Sequence, residues 1–158
     1  MAEGSFPTAR PSLAETGLAG FAPYLMNRLM GRYNAGFRAE MARAGLTTPK
    51  ARALAVLSVI EGPLIGELAV HTVTDQSTLS RALDQLQAEG LIRRETDAQD
   101  SRATRVFPTA AGRAAFQSLW PHMAEAEARL FKGIAEDERH AFVSTLQKML
   151  HNIRKHEI

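Results

Sequence analysis

The sequence contains no cysteine. This absence excludes a disulfide framework, a thiolate zinc site, a thiol nucleophile and a cysteine redox switch. The sequence also has no apolar run that approaches the roughly 20 residues needed to span a bilayer, and its first residues lack the basic-then-apolar order of a signal peptide. We therefore expect no membrane partner and a cytoplasmic location.

Motifs typical of enzymes and of metal sites are also missing. There is no nucleophile elbow, no phosphate-cradling glycine loop and no paired-carboxylate arrangement. The histidines are His71, His122, His140, His151 and His156. No two of them have the i, i+4 spacing that places two imidazoles on one helical face. We therefore expect neither an enzyme nor a metal or other cofactor.

The charge of the chain is nearly balanced. A net charge of +2 is too small to indicate nucleic-acid binding. The segment from Thr74 to Arg113 contains six arginines and six acidic residues. Any DNA binding must therefore depend on where individual arginines point and not on a bulk field.

The length and composition indicate one globular domain. The chain has 158 residues, of which 45% are apolar and 23% charged, as in soluble proteins with a sizeable core. Residues 1–17 are rich in Pro, Ser, Gly, Thr and Ala without periodicity, so we expect a flexible tail there. Residues 18–158 are expected to form a single, mainly α-helical domain.

The central part of the chain indicates two helices separated by a short turn. Leu64–His71 has apolar residues at helical spacing. A second helix is expected over Thr74–Glu89, with Thr74 as its N-cap and Gly90 just beyond its end. Its apolar side is formed by Leu79, Ala82, Leu83 and Leu86. Its opposite side carries Thr74, Ser77, Arg81 and Asp84, with Ser80 and Gln85 on the flanks. This pattern indicates a helix-turn-helix whose second helix enters the DNA major groove.

A two-stranded hairpin is expected after this motif. The strands are predicted over 91–96 and 102–108, with a polar, turn-rich segment between them. Pro108 cannot donate to a ladder and therefore marks a strand end. The tip of the hairpin places Arg102 beside Asp97 and Asp100.

This arrangement resembles the winged-helix regulators of the multiple-antibiotic-resistance (MarR) family. Leu64–Ala69 is similar to the first helix of the family's motif, Ser77–Arg81 to its recognition-helix segment, and Glu89–Arg94 to the exit into the wing. The family's wing signature is matched by Asp100, Ser101 and Arg102, followed by Thr109 and Gly112, with Pro108 where the family usually has leucine. The resemblance covers about Leu18–Lys155. It implies a mainly α fold with a small β-hairpin wing, in which a winged helix-turn-helix is flanked by dimerisation helices.

The flanking segments are also expected to be helical. Helices are predicted over Pro23–Ala44 with Gly45 as the left-handed cap, over Lys50–Ile60 with Thr48 as N-cap, from Thr109 towards Phe131, and over Glu136–Lys155. Pro121 is expected to kink or break the third of these. By resemblance, residues 47–108 form the winged helix-turn-helix, and residues 18–46 and 109–158 form dimerisation helices of a homodimer.

The DNA-binding residues are expected on the second helix and the wing. They are Thr74, Gln76, Ser77, Ser80, Arg81, Asp84, Arg94, Asp100 and Arg102. Arg81 suits bidentate contact with guanine, although a lone surface arginine can simply be solvated. Arg102 is expected at the minor groove or a phosphate, with Asp100 orienting its guanidinium. Arg93, Arg94 and Arg105 are expected to divide between phosphate contacts and ion pairs to Glu95 or Asp97.

A second set of residues could bind an effector. It comprises Tyr24, Arg28, Arg32, Tyr33 and Trp120. Many members of the family bind small aromatic or acidic effectors between the dimer helices and the DNA-reading module, and Arg28 or Arg32 could pair with an effector carboxylate. Core or dimer packing is the alternative role of these side chains.

Together these features predict a sequence-specific, DNA-binding transcriptional regulator. The expected form is a ligand-responsive repressor that binds a pseudo-palindromic operator of double-stranded DNA as a homodimer. The alternative is a winged-helix module that serves protein contacts without binding DNA.

Overall fold

The computed structural model describes residues 11–153. The described chain forms two compact units, the first ending at Gly36 and the second beginning at Phe37. The first unit contains α1 (Leu13–Thr16), a short 3₁₀ helix (Leu18–Gly20) and α2 (Ala22–Gly36). The second unit contains α3 (Arg38–Arg43), α4 (Thr48–Leu57), α5 (Ile65–Thr72), α6 (Gln76–Ala88), β1 (Ile92–Thr96), β2 (Thr104–Pro108), α7 (Ala110–Leu130) and α8 (Glu136–Ile153). The predicted fold class, mainly α with a β-hairpin wing, is confirmed.

The predicted tail over residues 1–17 contains one helical turn, α1. Ser12 Oγ accepts a hydrogen bond from the Glu15 backbone at 3.3 Å, and Glu15 Oε2 accepts one from the Ser12 backbone at 2.7 Å. This reciprocal capping box satisfies two backbone donors and stabilises the turn. Residues 1–10 lie outside the described range, and the flexible tail stays a prediction.

The single long helix predicted over Pro23–Ala44 is wrong, because the chain is interrupted at Phe37. The backbone of Phe37 has φ −123° and ψ 12°, outside the helical range. Phe37 and Met41 are buried in the second unit, whereas Leu25 and Leu29 in the first unit are 41% and 45% exposed. The apolar residues of this segment therefore do not form one continuous buried stripe.

Helix α4 lies at the centre of the second unit, where it contacts α5, α6, α7 and β2. Its buried side chains are Ala51, Ala53, Leu54 and Leu57. The helix begins at Thr48, two residues before the predicted start at Lys50, with Thr47 and not Thr48 as the N-cap position, and it ends at Leu57 and not at Ile60. Lys50 is only 3% exposed; its Nζ donates to Glu89 Oε1 at 2.7 Å and to the Gly45 carbonyl at 3.0 Å. These two bonds satisfy the buried ammonium and tie the start of α4 to the end of α6.

The wing is the antiparallel pair β1 and β2. Ile92 pairs with Pro108 at one end and Thr96 with Thr104 at the other. Pro108 ends its strand, as predicted. Val106 of β2 donates its backbone N–H to the Pro63 carbonyl at 3.0 Å. This bond links the wing to the loop before α5.

Helix α7 begins directly after the wing. Thr109 Oγ1 accepts from the Gly112 backbone at 3.1 Å and donates to the Gly90 carbonyl at 2.7 Å. A Cβ atom at Gly112 would overlap the carbonyl oxygen of Leu91, so only glycine lets the helix approach this closely. The helix runs through Pro121 without a break.

The last helix, α8, is described as far as Ile153. The predicted end at Lys155 and the nearby His156 lie outside the described residues. Among the helices that the structure describes, none is both long and apolar enough to cross a membrane.

Candidate nucleic-acid interface

A tight turn between α5 and α6 sets the start of the second helix. Val73 adopts a left-handed conformation with φ 50°, and the Thr74 hydroxyl donates to the Thr72 carbonyl at 3.1 Å. The N-cap is Asp75, which accepts from the Thr78 backbone at 2.9 Å, and not Thr74 as predicted. Either residue type can cap a helix; the left-handed Val73 leaves Asp75 at the last extended position before α6.

The carboxylate of Asp75 is strongly favoured in its charged form. Hydrogen bonds from Thr78 and from the Ser77 hydroxyl, the latter at 2.7 Å, hold the pKa of Asp75 well below its usual range. An anion at this position also interacts favourably with the helix dipole. Thr74 and Ser77, two residues of the predicted DNA-facing set, therefore use their hydroxyl protons in local hydrogen bonds around the turn.

Helix α6 has two distinct faces. Leu79, Ala82, Leu83 and Leu86 are all buried, as predicted. The side chains of Gln76, Ser77, Ser80, Arg81 and Asp84 are exposed on the other side. Arg81 has no ion-pair partner among the described residues. A polar helix with an unpaired arginine in its middle can donate to base edges in a major groove.

Arg94 of β1 is bound to the same helix. Its Nη1 donates to Asp84 Oδ1 at 2.8 Å. Both residues belong to the predicted DNA-facing set, and the sequence did not predict that they would pair. The ion pair neutralises the acidic group on the exposed face of α6 and joins the helix to the wing.

Arg93 and Arg105 form the internal ion pairs that the sequence suggested. Arg93 pairs with Glu95, and Arg105 pairs with Asp97. The guanidinium of Arg93 also stacks over the ring of Phe107, with 4.3 Å between its central carbon and the ring centroid. Both arginines are thus engaged within the wing.

The wing tip is organised by two aspartates. Asp97 accepts from the backbones of Gln99 and Asp100, each at 2.9 Å. Asp100 accepts from the backbone N–H of Arg102 at 3.0 Å, so it positions the main chain of Arg102, whereas we expected it to orient the guanidinium. Within residues 11–153, that guanidinium has no ion-pair partner and is exposed.

An open groove of about 610 Å³ lies between the wing and the two helices of the motif. It brings Gln76 at the start of α6 together with Arg102 of the wing. Thr104 and Glu67 line the same groove and were missed by sequence reasoning. In the sequence, a hydrogen-bonding side chain alone is a weak signal of a site residue. Only the folded hairpin places Thr104 beside α5.

The residues predicted to bind an effector are divided between the two units. Tyr24, Arg28, Arg32 and Tyr33 lie on α2 of the first unit, and Trp120 lies on α7 of the second. The Arg28 guanidinium donates to the Tyr24 hydroxyl at 3.3 Å and lies 5.8 Å from the centroid of its ring. Trp120 is 53% exposed and packs against Phe116, with 6.3 Å between ring centroids. These assignments stay predictions.

Metal ligands do not cluster in the described part of the chain. No group of three or more His, Asp or Glu side chains there could hold a metal ion.

The polar recognition helix, its supporting helix and the two-stranded wing define a winged helix-turn-helix DNA-binding protein. A model of the MarR family matches residues 44–103. The chain is 59% identical to a MarR-family transcriptional regulator of Silicibacter pomeroyi, whose crystal structure superposes with a TM-score of 0.89 over 94% of this chain and 100% of that one. The chain therefore belongs to the MarR family of transcriptional regulators.

Two further proteins are similar to this chain. The HTH-type transcriptional repressor IacR of Pseudomonas putida is 25% identical over 84% of this chain and 80% of its own length. BpsR of Bordetella bronchiseptica is 27% identical over 80% of this chain and 96% of its own, with a TM-score of 0.69. The family consists of transcriptional regulators and not of enzymes, which favours the predicted DNA-binding regulator over the protein-interaction module.

Proposed function

We propose that the protein is a homodimeric repressor in the cytoplasm that binds a pseudo-palindromic operator and releases it when a small aromatic acid binds. The observation that carries the DNA-binding part is the division of arginines in the motif. Arg93, Arg94 and Arg105 are paired within the described chain, while Arg81 on α6 and Arg102 on the wing are not. These two cations remain available for DNA.

The two unpaired arginines suit different parts of the operator. Arg81 lies in the middle of the exposed face of α6, where it can donate to O6 and N7 of a guanine in the major groove. Arg102 at the wing tip suits the minor groove or a backbone phosphate. The remaining predicted DNA-binding residues are Thr74, Gln76, Ser77, Ser80, Asp84, Arg94 and Asp100. Because Asp84 and Arg94 bond to each other and Asp100 bonds to the Arg102 backbone, we assign these three a supporting role.

The proposed partner in the dimer is a second copy of this chain. In the first unit, Leu18, Phe21, Leu25 and Leu29 are between 41% and 50% exposed. In the second unit, α8 exposes Leu150 by 64% and Ile153 by 74%. These exposed apolar side chains support an interaction surface on each unit. A two-fold protein would place two recognition helices about 34 to 36 Å apart, which matches one turn of DNA.

The proposed effector is a carboxylated or phenolic aromatic compound. DNA binding by BpsR is regulated by 6-hydroxynicotinic acid, which is such a compound. In this chain Arg28 or Arg32 would pair with the carboxylate, and Tyr24, Tyr33 or Trp120 would contact the ring. The ligand would release DNA only if it bound better to a dimer whose recognition helices are mis-spaced.

DNA binding is tested by titrating duplexes from the region flanking the gene of this protein and measuring fluorescence anisotropy at several salt concentrations. Binding that neutralises several phosphates should weaken steeply as salt rises. The matched control is the double variant Arg81→Ala/Arg102→Ala, which should lose specific binding. If the wild-type protein binds none of these duplexes at any salt concentration, the proposed function is wrong.

The effector is tested by a thermal-shift screen that begins with 6-hydroxynicotinic acid and continues with other aromatic acids and their thioesters. A ligand at a hundred times its dissociation constant should add about 2.7 kcal/mol to the free energy of unfolding. It should also weaken operator binding. A ligand that stabilises the protein but leaves operator affinity unchanged would refute the switch, and one that binds equally to Arg28→Met/Arg32→Met would refute the pocket.

A further inference from the structure

Arg105 connects the wing to the loop that precedes α5. Its Nη1 donates to the carbonyl oxygen of Gly62 at 2.7 Å, and its Nε donates to Asp97. Gly62 lies 43 residues earlier in the chain. One side chain therefore joins the turn at the wing tip to a segment outside the wing.

Asp97, the partner of Arg105, holds the tip turn in place. It is a nearly buried carboxylate, 9% exposed, that accepts from the backbones of Gln99 and Asp100 as well as from Arg105. Hydrogen bonds from the Asp100 backbone, Arg105 and the Gln99 backbone lower the pKa of Asp97, so it is charged at neutral pH. A buried carboxylate requires such partners, and Arg105 is its cationic one.

The loop around Gly62, which accepts the hydrogen bond from Arg105, is itself held in place by packing. Gly62 has φ 62°, and a Cβ atom there would lie 2.6 Å from the ring of Phe107. The guanidinium of Arg93, which also lies on the wing, stacks over that ring. The backbone of Val106 bonds to Pro63, and Leu64 forms a bridge with Arg105 itself. The loop is thus packed against β2 over several residues.

We propose that Arg105 is a positioning residue that fixes the direction in which the wing presents Arg102 to DNA. Arg105 donates to the Gly62 carbonyl and to Asp97, Asp97 accepts from the Asp100 backbone, and the Asp100 side chain accepts from the Arg102 backbone. Arg105 acts through this series and needs no contact with DNA. The inference rests on the proposed function, because it assumes that Arg102 binds DNA.

A double-mutant cycle tests the inference on the full chain. Operator affinity is measured by fluorescence anisotropy for the wild type, Arg105→Met, Arg102→Ala and the double variant. Loss of the positioning should weaken binding about tenfold when Arg102 is present and less than about twofold when it is alanine. Arg43→Met, which removes a surface pair with Glu40 on α3, is the matched control and should bind like the wild type. An equal loss in both backgrounds would show direct DNA contact by Arg105 and overturn the inference.

Hydrogen exchange gives a second measurement that does not require DNA. In Arg105→Met, the amide protons of Gln99, Asp100 and Arg102 should exchange faster, while those of Leu79–Leu86 in α6 keep their protection. Unchanged exchange at the wing tip would overturn the inference. Faster exchange in a protein that binds no DNA would refute the proposed function and, with it, the presentation of Arg102 to DNA, while the ordering of the wing tip by Arg105 would stand. If Arg105→Met does not fold, Asp97→Asn takes its place in both experiments, because asparagine keeps the oxygen that caps the turn and lacks the charge that Arg105 needs.

Discussion

Arg94 on the first strand of the wing donates a hydrogen bond to Asp84 on the exposed face of the recognition helix, 2.8 Å away. An unpaired carboxylate at this position would repel DNA phosphates. The ion pair therefore removes an unfavourable charge from the proposed interface. It also leaves Arg94 Nε buried without a hydrogen-bond partner among the described residues.

The first prediction follows from this pair. We expect Arg94→Met to weaken operator binding about tenfold, because Asp84 then faces the DNA without its partner. Adding Asp84→Asn should restore most of that affinity, and Asp84→Asn alone should bind at least as well as the wild type. Fluorescence anisotropy at one salt concentration measures all four proteins. If the double variant binds as weakly as Arg94→Met, then Arg94 contacts a phosphate directly.

The second prediction separates base reading from positioning on the DNA. Arg81→Ala should lose about 1 to 3 kcal/mol of binding free energy and relax the preference at one base pair in each half-site. Arg102→Ala should weaken binding to all sequences, or at an A·T-rich flank, and lower the salt dependence. Binding to a library of single-base operator variants distinguishes the two patterns. Wild-type profiles for both variants would show that the recognition helix and the wing do not dock as proposed.

The third prediction concerns the junction between the wing and α7. Gly112→Ala should destabilise the protein by about 3 kcal/mol or more, because the new methyl group meets the backbone of Leu91, which cannot rotate away. Gly66→Ala is the matched control: it lies in α5 with nothing within 4 Å of the added carbon and should be neutral or stabilising by up to about 1 kcal/mol. Urea unfolding compares them. Equal urea midpoints for the two variants would mean that α7 can move away from Leu91 without loss of stability.

The fourth prediction concerns acid stability. Because folding lowers the pKa of Asp75, the stabilisation by its carboxylate is complete above the unfolded pKa of about 3.9 and is lost as the pH falls towards the folded value. Asp75→Asn should therefore be less stable than the wild type at pH 6, and the difference should shrink below about pH 4. Ser77→Ala, which removes one of the two side chains that bond to Asp75, should show an intermediate dependence. Parallel curves for the three proteins in urea unfolding would contradict this account of the N-cap.

The local features of the motif could be read from the sequence. Burial of Leu79 and Leu83 and exposure of Arg81 follow from the 3.6-residue period, which does not depend on the rest of the fold. The sequence predicts the N-cap one residue too early, because Thr74 and Asp75 are both good capping residues. Only the left-handed turn before them decides between the two.

The contacts that shape the site could not be read from the sequence. Lys50 bonds to a residue 39 positions away and Arg105 to one 43 positions away, and no periodicity relates such positions. The break at Phe37 was also not predicted, since the burial of Phe37 in the second unit depends on residues distant in the sequence. The sequence therefore identified charged residues as candidate site residues, whereas their ion pairs could be identified only from the fold.

The strict separation of faces on α6 has a consequence for engineering. The residues that anchor the helix are all aliphatic and buried, whereas the candidate base-reading positions 80 and 81 make no contribution to that core. Operator preference could therefore be reprogrammed by substituting these outward positions while the scaffold keeps its stability. Position 84 is different, since its partner sits on β1: a designer who changes Asp84 must change Arg94 with it, and the exchangeable unit extends beyond the helix into the wing.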